Sequence, residues 1–432
     1  MKSHQLFLAI CASLILSISS CNNQTLRIFK ASSARTKYLN TLQSSGISST
    51  KIGMEWQSSA TEVLSNAPQL EVPVALQGSF KSKSIEAKAW RIQLEKGASI
   101  NIMVHWQARD SSKLIVDFLA EPDWKELNSF ATQNDSVKLE ADDTGFYLLR
   151  IQPELLGEGN FQVRINGTPT YETFPVQGKN SSAIQSVWGD VRDGGKRSHE
   201  GVDIFAPRGT PVIAPVPGVV TAVRDRGLGG KQVWLRDPER DWNLYFAHLD
   251  SQLVSNLQRV LPGDTLGLVG NTGNARTTAP HLHFGIYQSG AINPSPAIEN
   301  VFKTADILPE RQLPTFMSVN TSQANLRSAP TTSSEMVEQL KDDTPVIILS
   351  ATSDWYQVQT FDGLNGFLYR TLLSTIDSAV LENKSTYAFT SPSRFSADSL
   401  LVELGPFYQI GLIDGFSVIK DQDENILYLP LQ

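Results

Sequence analysis

The most regular pattern in the chain is a two-residue alternation of apolar and polar positions. In AKAWRIQLEKGASINIMVHW, Trp90, Ile92 and Leu94 share one face, and Ile100, Ile102 and Val104 share another after a turn at Lys96-Gly97. That period is the mark of half-buried strands. SKLIVDFLAEP, TGFYLLRIQPE and GNFQVRI continue it, and an antiparallel sandwich over residues 71–166 buries such faces together. Upstream, Tyr38, Leu42 and the span from Met54 to Leu64 carry helical spacing, which predicts one or two short helices within residues 21–70. Residues 167–181 are rich in turn formers and read as a linker. In residues 182–300, short apolar runs are punctuated by Pro207-Arg208-Gly209, Pro217-Gly218 and Pro262-Gly263, with no long amphipathic helix, so a mostly antiparallel β domain is expected. A second linker at 301–316 precedes a β module at 317–376 and a β appendage at 377–432. The expected class is mainly β and multidomain.

The alternation acquires chemistry at PHLHFGIY. Residues i and i+2 of a strand point the same way, so His281 and His283 stand about 7 Å apart on one face, while Leu282, Phe284 and Ile286 take the apolar face. Four of the six histidines fall within about 100 residues: His199 in SHEGVD, His248 in LYFAHL, and this pair. In HEGVD, His199 and Asp203 would be about 13 Å apart along an ideal strand, too far to share an ion. The backbone must bend there, and Gly201 permits it. Two histidines and one carboxylate, with a fourth position left open and no cysteine ligand, is the donor set of catalytic rather than structural zinc.

In order, HEGVD, GTPVIAPVPGVV, LYFAHL, PGDTLGLVGNTGN and PHLHFGIY, with Gly189 ahead of them, resemble the lysostaphin/LytM-type zinc metallopeptidases that cleave peptides of bacterial peptidoglycan. The similarity runs from about Ser182 to Pro296. Carried over position by position, the resemblance implies that His199, Asp203 and His283 hold one zinc ion and that His281 and His248 are the catalytic pair. It leaves open which of the two acts as base and which stabilises the oxyanion. Such zinc acts as a Lewis acid on the scissile carbonyl, and imidazoles move the protons. Two departures lie beside the site: GNTGNARTTAP is longer than the family's usual approach to HxH, and Gly285 replaces a commonly acidic position. Relatives that lost ligands serve as activators of other hydrolases. Here no ligand is missing, although a non-catalytic wall-binding lipoprotein or a regulator of another wall hydrolase is the alternative.

The flanking segments carry resemblances of their own. AWRIQLEKGASINIMV, LIVDFLAEP and GFYLLRI are similar to the pre-peptidase C-terminal type of β-sandwich. NLRSAP, the Val/Ile strand PVIILS, WYQV, the turn at Asp362-Gly363 and GFLY resemble a bacterial SH3-like barrel, which implies wall-peptide contacts, with Trp355 and Tyr356 as candidate ligand-binding residues. Residues 377–432 read as a β appendage completing or capping that module, with a degenerate second copy of it as the alternative.

Composition narrows the setting. A formal net charge of −7 disfavours nucleic acid as a partner. The opening MKSHQLFLAICASLILSISSC has one basic residue and an apolar run too short to span a bilayer, the form of a secretory signal over residues 1–20. It ends in Ile18-Ser19-Ser20-Cys21, which resembles a bacterial lipobox and so implies lipid modification of Cys21; an ordinary signal peptide cleaved after Ser20 is the alternative. Cys11 would leave with the signal, so the exported chain would contain no disulfide. The expected protein is an exported, membrane-anchored lipoprotein of a bacterial cell envelope, with peptidoglycan peptide as substrate.

Overall fold

The alternation at Trp90, Ile92 and Leu94 is realised as the strand Lys88–Leu94, with all three side chains buried, in a computed structural model. It describes residues 33–432 apart from 83, 133, 377–379, 382–385, 391–398, 403–406, 414, 422–424 and 431–432. The expected signal segment and Cys21 lie outside the described residues. None of the described helices is long and apolar enough to cross a membrane.

Lys88–Leu94 belongs to a five-stranded sheet with Gln69–Leu70, Gly145–Pro153, Leu114–Ala120 and Lys125–Thr132. The strand after the Lys96-Gly97 turn, Ser99–Ala108, does not pair back on it. It joins Val74–Phe80, Gly159–Thr168 and Asn134–Glu140 in the facing sheet, and the turn is accommodated by Gly97 at φ +82°. Trp90 and Ile92 from one layer thus meet Ile102, Val104 and Phe161 from the other in a single sandwich core.

Two helices, Ala34–Ser44 and Lys51–Ser65, lie on the outer face of the first sheet, N-capped by Ser33 and Thr50. The indole of Trp56 donates to the Pro153 carbonyl at 2.9 Å. Beneath them Asp117, fully buried, accepts from Arg35 Nε at 2.7 Å, Arg150 Nε at 2.8 Å and Ser129 Oγ at 2.7 Å. A buried carboxylate is tolerable only when paired and hydrogen-bonded in this way.

A third sheet is antiparallel and runs in the order Ile184–Ser186, Val202–Phe205, His281–Tyr287, Trp242–Ala247, Lys231–Asp237, Gly218–Asp225, Arg259–Val260. Its apolar face, with Leu244, Phe246, Leu282 and Phe284, closes on a smaller sheet of Pro211–Ile213, Thr265–Leu268 and Ser251–Gln252.

Residues 167–181, expected as a linker, are part of this core. Tyr171, Phe174 and Val176 are buried in it, and Tyr171 donates to buried Asp237 at 2.9 Å. Turn-forming composition concealed three well-spaced apolar anchors. The join to the sandwich is polar and close: Arg240 grips Glu140 through Nε at 2.6 Å and Nη2 at 2.8 Å. The second expected linker, 301–316, is extended chain laid along the sandwich, with Ala305 and Leu308 buried against Ala75.

The SH3-like segment does not close as a separate barrel among the described residues. Its strands run from Met336–Leu340 through Ala324–Arg327, Asn365–Tyr369, Trp355–Thr360 and Pro345–Ala351, and Ala351 then pairs with Gln77 of the sandwich. Phe367 enters the sandwich core, and Trp90 donates to Gln357 at 2.9 Å across the join. The last strands, including the hairpin of Phe407–Ile413 and Phe416–Lys420, form a sheet of their own.

Candidate active site

Strand register brings the motif residues together. Val202–Phe205 pairs with His281–Tyr287 so that Asp203 stands opposite His283 and Phe205 opposite His281. On the other flank, Ala247 stands opposite His283, which brings the end of LYFAHL to the same place. His248 is the next residue and leaves the strand with φ +59°. A non-glycine residue in that region is uncommon and persists where surrounding contacts hold it. Here its N–H donates to the Gly229 carbonyl at 2.9 Å and its Nδ1–H to the Thr272 carbonyl at 2.9 Å.

His199 Nε2, Asp203 Oδ1 and His283 Nδ1 form a triangle with sides of 3.1, 3.0 and 3.0 Å. Four ligands tetrahedrally placed at about 2.0–2.1 Å from one ion are roughly 3.3 Å apart, so the triangle is close to one face of such a shell. The donor set is compatible with a metal ion. Each histidine offers the nitrogen that its surroundings leave available. His199 donates its Nδ1–H to the Val187 carbonyl at 2.9 Å, so Nε2 is turned inward as an acceptor, the arrangement expected of a ligand orientated by an outer hydrogen bond. His283, set directly across from Asp203, reaches the triangle with Nδ1, the nitrogen nearer the backbone.

His281 and His248 adjoin the triangle without joining it. His281 donates its Nδ1–H to the Ala279 carbonyl at 2.8 Å, and its Nε2 lies 3.9 Å from Asp203 Oδ1. Its ring is 5.1 Å from that of His248, which in turn is 5.8 Å from that of His283. Both histidines therefore expose Nε2 as a proton acceptor, with the tautomer set by a backbone carbonyl.

Electrostatics suit these states. Burial, then the proximity of His283 and His281, pushes His248 down to about 4, so its imidazole is neutral at pH 7. Burial likewise lowers His283, favouring the neutral ring that a metal requires. Burial opposes ionisation of Asp203, but its close contacts with the His199 and His283 imidazoles outweigh it and hold the carboxyl well below the usual range.

The five residues line an open cleft of about 670 Å³, together with Arg192, Lys196, Arg197, Tyr245 and Tyr287. Gly201 has a firmer reason than a bend: an ideal Cβ there would lie 2.6 Å from both His283 Cε1 and the Phe284 carbonyl oxygen. Of the other candidates, Tyr356 is buried, with the Arg311 guanidinium 5.5 Å from its ring centre. Trp355 is half-buried and packs edge-on against Tyr369 at 5.3 Å. Neither lies at the cleft. The sequence reading missed the residues that orientate the ligands, Ser186, Val187 and Arg192. Two of them act as a backbone carbonyl or a small hydroxyl, which leave no spacing signature.

Residues 197–294 match the model of peptidase family M23, and residues 322–374 match that of the bacterial SH3 domain. An L-Ala–D-Glu endopeptidase of Bacillus subtilis is 38% identical over 123 residues, covering 27% of this chain and 37% of that protein. An uncharacterized metalloprotease of Haemophilus influenzae is 42% identical over 259 residues, 50% of each chain. A peptidoglycan DD-endopeptidase of Vibrio cholerae is 33% identical over 120 residues, 28% of this chain and 27% of that one. The chain thus spans half or less of the length of these relatives. Among solved structures, the catalytic domain of lysostaphin from Staphylococcus simulans is similar with 29% identity and a TM-score of 0.25, covering 27% of this chain and 94% of that one.

Proposed function

Since the chain carries a peptidase family M23 domain beside a bacterial SH3 domain, we propose that it is a zinc metalloendopeptidase that hydrolyses peptide bonds of bacterial peptidoglycan. The observation that carries the reading is the convergence of His199, Asp203 and His283 in an open cleft with two further imidazoles beside them. His199 Nε2, Asp203 Oδ1 and His283 Nδ1 would hold the ion. When bound, zinc supplies Lewis acidity toward the scissile carbonyl and toward water.

The chain's own residues supply the rest. His248 and His281, each anchored at Nδ1, present Nε2 atoms that take the proton from the attacking water and return it to the leaving amine. Once protonated, either ring also offsets the negative charge that builds on the carbonyl oxygen. The rigid backbone anchors at Thr272 and Ala279 hold both rings in place before substrate arrives, so little reorganisation accompanies the reaction.

The proposal extends to the setting. Lipid modification of Cys21 would tether the chain to a membrane, with the SH3-like module and the sandwich facing the wall. Incubating isolated peptidoglycan with the zinc-loaded chain and counting new amino groups tests the activity. No release at any zinc loading counts against it.

A further inference from the structure

We infer that Arg192 is a positioning residue for the metal ligand Asp203, holding that carboxylate to one-oxygen coordination. The inference rests on the zinc reading above, but concerns residues ahead of the matched peptidase segment, which begins at 197.

The two oxygens of Asp203 have divided partners. Oδ1 faces His199 Nε2 and His283 Nδ1 at 3.1 and 3.0 Å. Oδ2 is turned away and accepts from Arg192 Nη2 at 2.8 Å. A guanidinium on one oxygen of a carboxylate makes a short, strong, directional bond. A carboxylate held in this way cannot swing both oxygens onto one ion without breaking it. Coordination through Oδ1 alone leaves the fourth tetrahedral position open for substrate chemistry, as a catalytic site needs.

Arg192 is itself held. Its Nη2 also donates to Ser186 Oγ, and that hydroxyl donates to Asp190 Oδ2 at 2.7 Å. Asp190 is tied to the other end of the site, because its backbone carbonyl accepts from the His199 N–H at 2.9 Å. The Val187 carbonyl meanwhile fixes the His199 ring. The turn passes through Gly189 at φ +84°, whose N–H donates to the His199 carbonyl at 3.0 Å. One segment, 186–192, therefore orientates two of the three ligands: His199 through Val187 and Asp190, and Asp203 through Arg192.

A simple electrostatic view makes the opposite forecast. A cation bonded to a ligand should repel the metal, so its removal would tighten binding. Positioning forecasts weaker binding, since loss of such outer partners costs about 10–100-fold in affinity.

The test uses the purified full chain and its Arg192→Gln and Arg192→Lys variants. Zinc affinity is read by chelator competition and coordination by the absorption spectrum of the cobalt(II)-loaded protein. Arg192→Gln should bind zinc about 10–100-fold more weakly, and its cobalt spectrum should shift from four- toward five-coordinate as Oδ2 is released. Equal or tighter binding with an unchanged spectrum overturns the inference while leaving the zinc reading intact. A wild-type chain that binds no zinc overturns both. Should Arg192→Gln fail to fold, Arg192→Lys decides: it keeps the charge but loses the reach and fixed plane of the guanidinium, so weakened binding supports positioning and wild-type affinity contradicts it.

Discussion

His199 Nε2 and His283 Nδ1 stand 3.0 Å apart although 84 residues separate them in sequence. Different ring nitrogens meet because different backbones deliver them. His199 arrives from a turn that occupies its Nδ1, while His283 arrives from a strand paired directly with Asp203. Two atoms that close, without a proton between them, are repulsive unless a cation intervenes, so the site should be stabilised by its metal. Adding zinc at 100 times its dissociation constant should raise stability by about 2.7 kcal/mol, seen as a higher melting temperature that chelation reverses. An unchanged melting curve would contradict a metal role for this triangle.

The two flanking imidazoles should be needed for turnover and dispensable for metal. His281→Ala and His248→Ala are each expected to lower the rate of peptidoglycan cleavage by about 10²–10⁴-fold while zinc content stays near one ion per chain. Loss of zinc in either variant would mean that the residue ligates.

Gly201→Ala should damage the site through packing alone. The new Cβ would fall 2.6 Å from the Phe284 carbonyl oxygen and the His283 ring, and overpacking of this kind costs about 1–3 kcal/mol. Lower melting temperature and weaker zinc binding are expected together. A variant that melts and binds zinc like wild type would show that the strands yield freely there.

The helical cover of the sandwich depends on Asp117. Removing the carboxylate in Asp117→Ala leaves the Arg35 and Arg150 guanidinium groups buried with their shared partner gone, a loss of about 3–5 kcal/mol for a broken buried pair. Urea unfolding measures it, and a loss below about 1 kcal/mol would contradict the account.

These forecasts draw unequally on the sequence. The strand HLHFGIY was legible because its alternation places His281 and His283 on one face and Leu282, Phe284 and Ile286 on the other. The helices over Tyr38–Leu42 and Met54–Leu64 were legible from spacing. The pairing of Ala351 with Gln77 was not, since it joins strands 274 positions apart with no local signal. The left-handed backbone of His248 and the grip of Arg192 on Asp203 are products of tertiary contact. The turn-rich composition of 167–181 pointed away from the buried roles of Tyr171, Phe174 and Val176.

That pairing carries a forecast of its own. Because Phe367 of the SH3-like segment is buried in the sandwich core, Phe367→Ala should cost about 3–5 kcal/mol and weaken both modules at once. Calorimetry should show one shared transition moving down. Two separate transitions, with only one displaced, would contradict a shared core.

The central claim is hydrolysis of wall peptides at the zinc cleft, and mass spectrometry of peptidoglycan digested by the zinc-loaded chain tests it most directly. Wild type should release fragments cut at a peptide bond with a new amino terminus, and His281→Ala under the same conditions should not. Intact wall peptides with zinc-loaded wild type, or the same fragments from His281→Ala, would contradict the account.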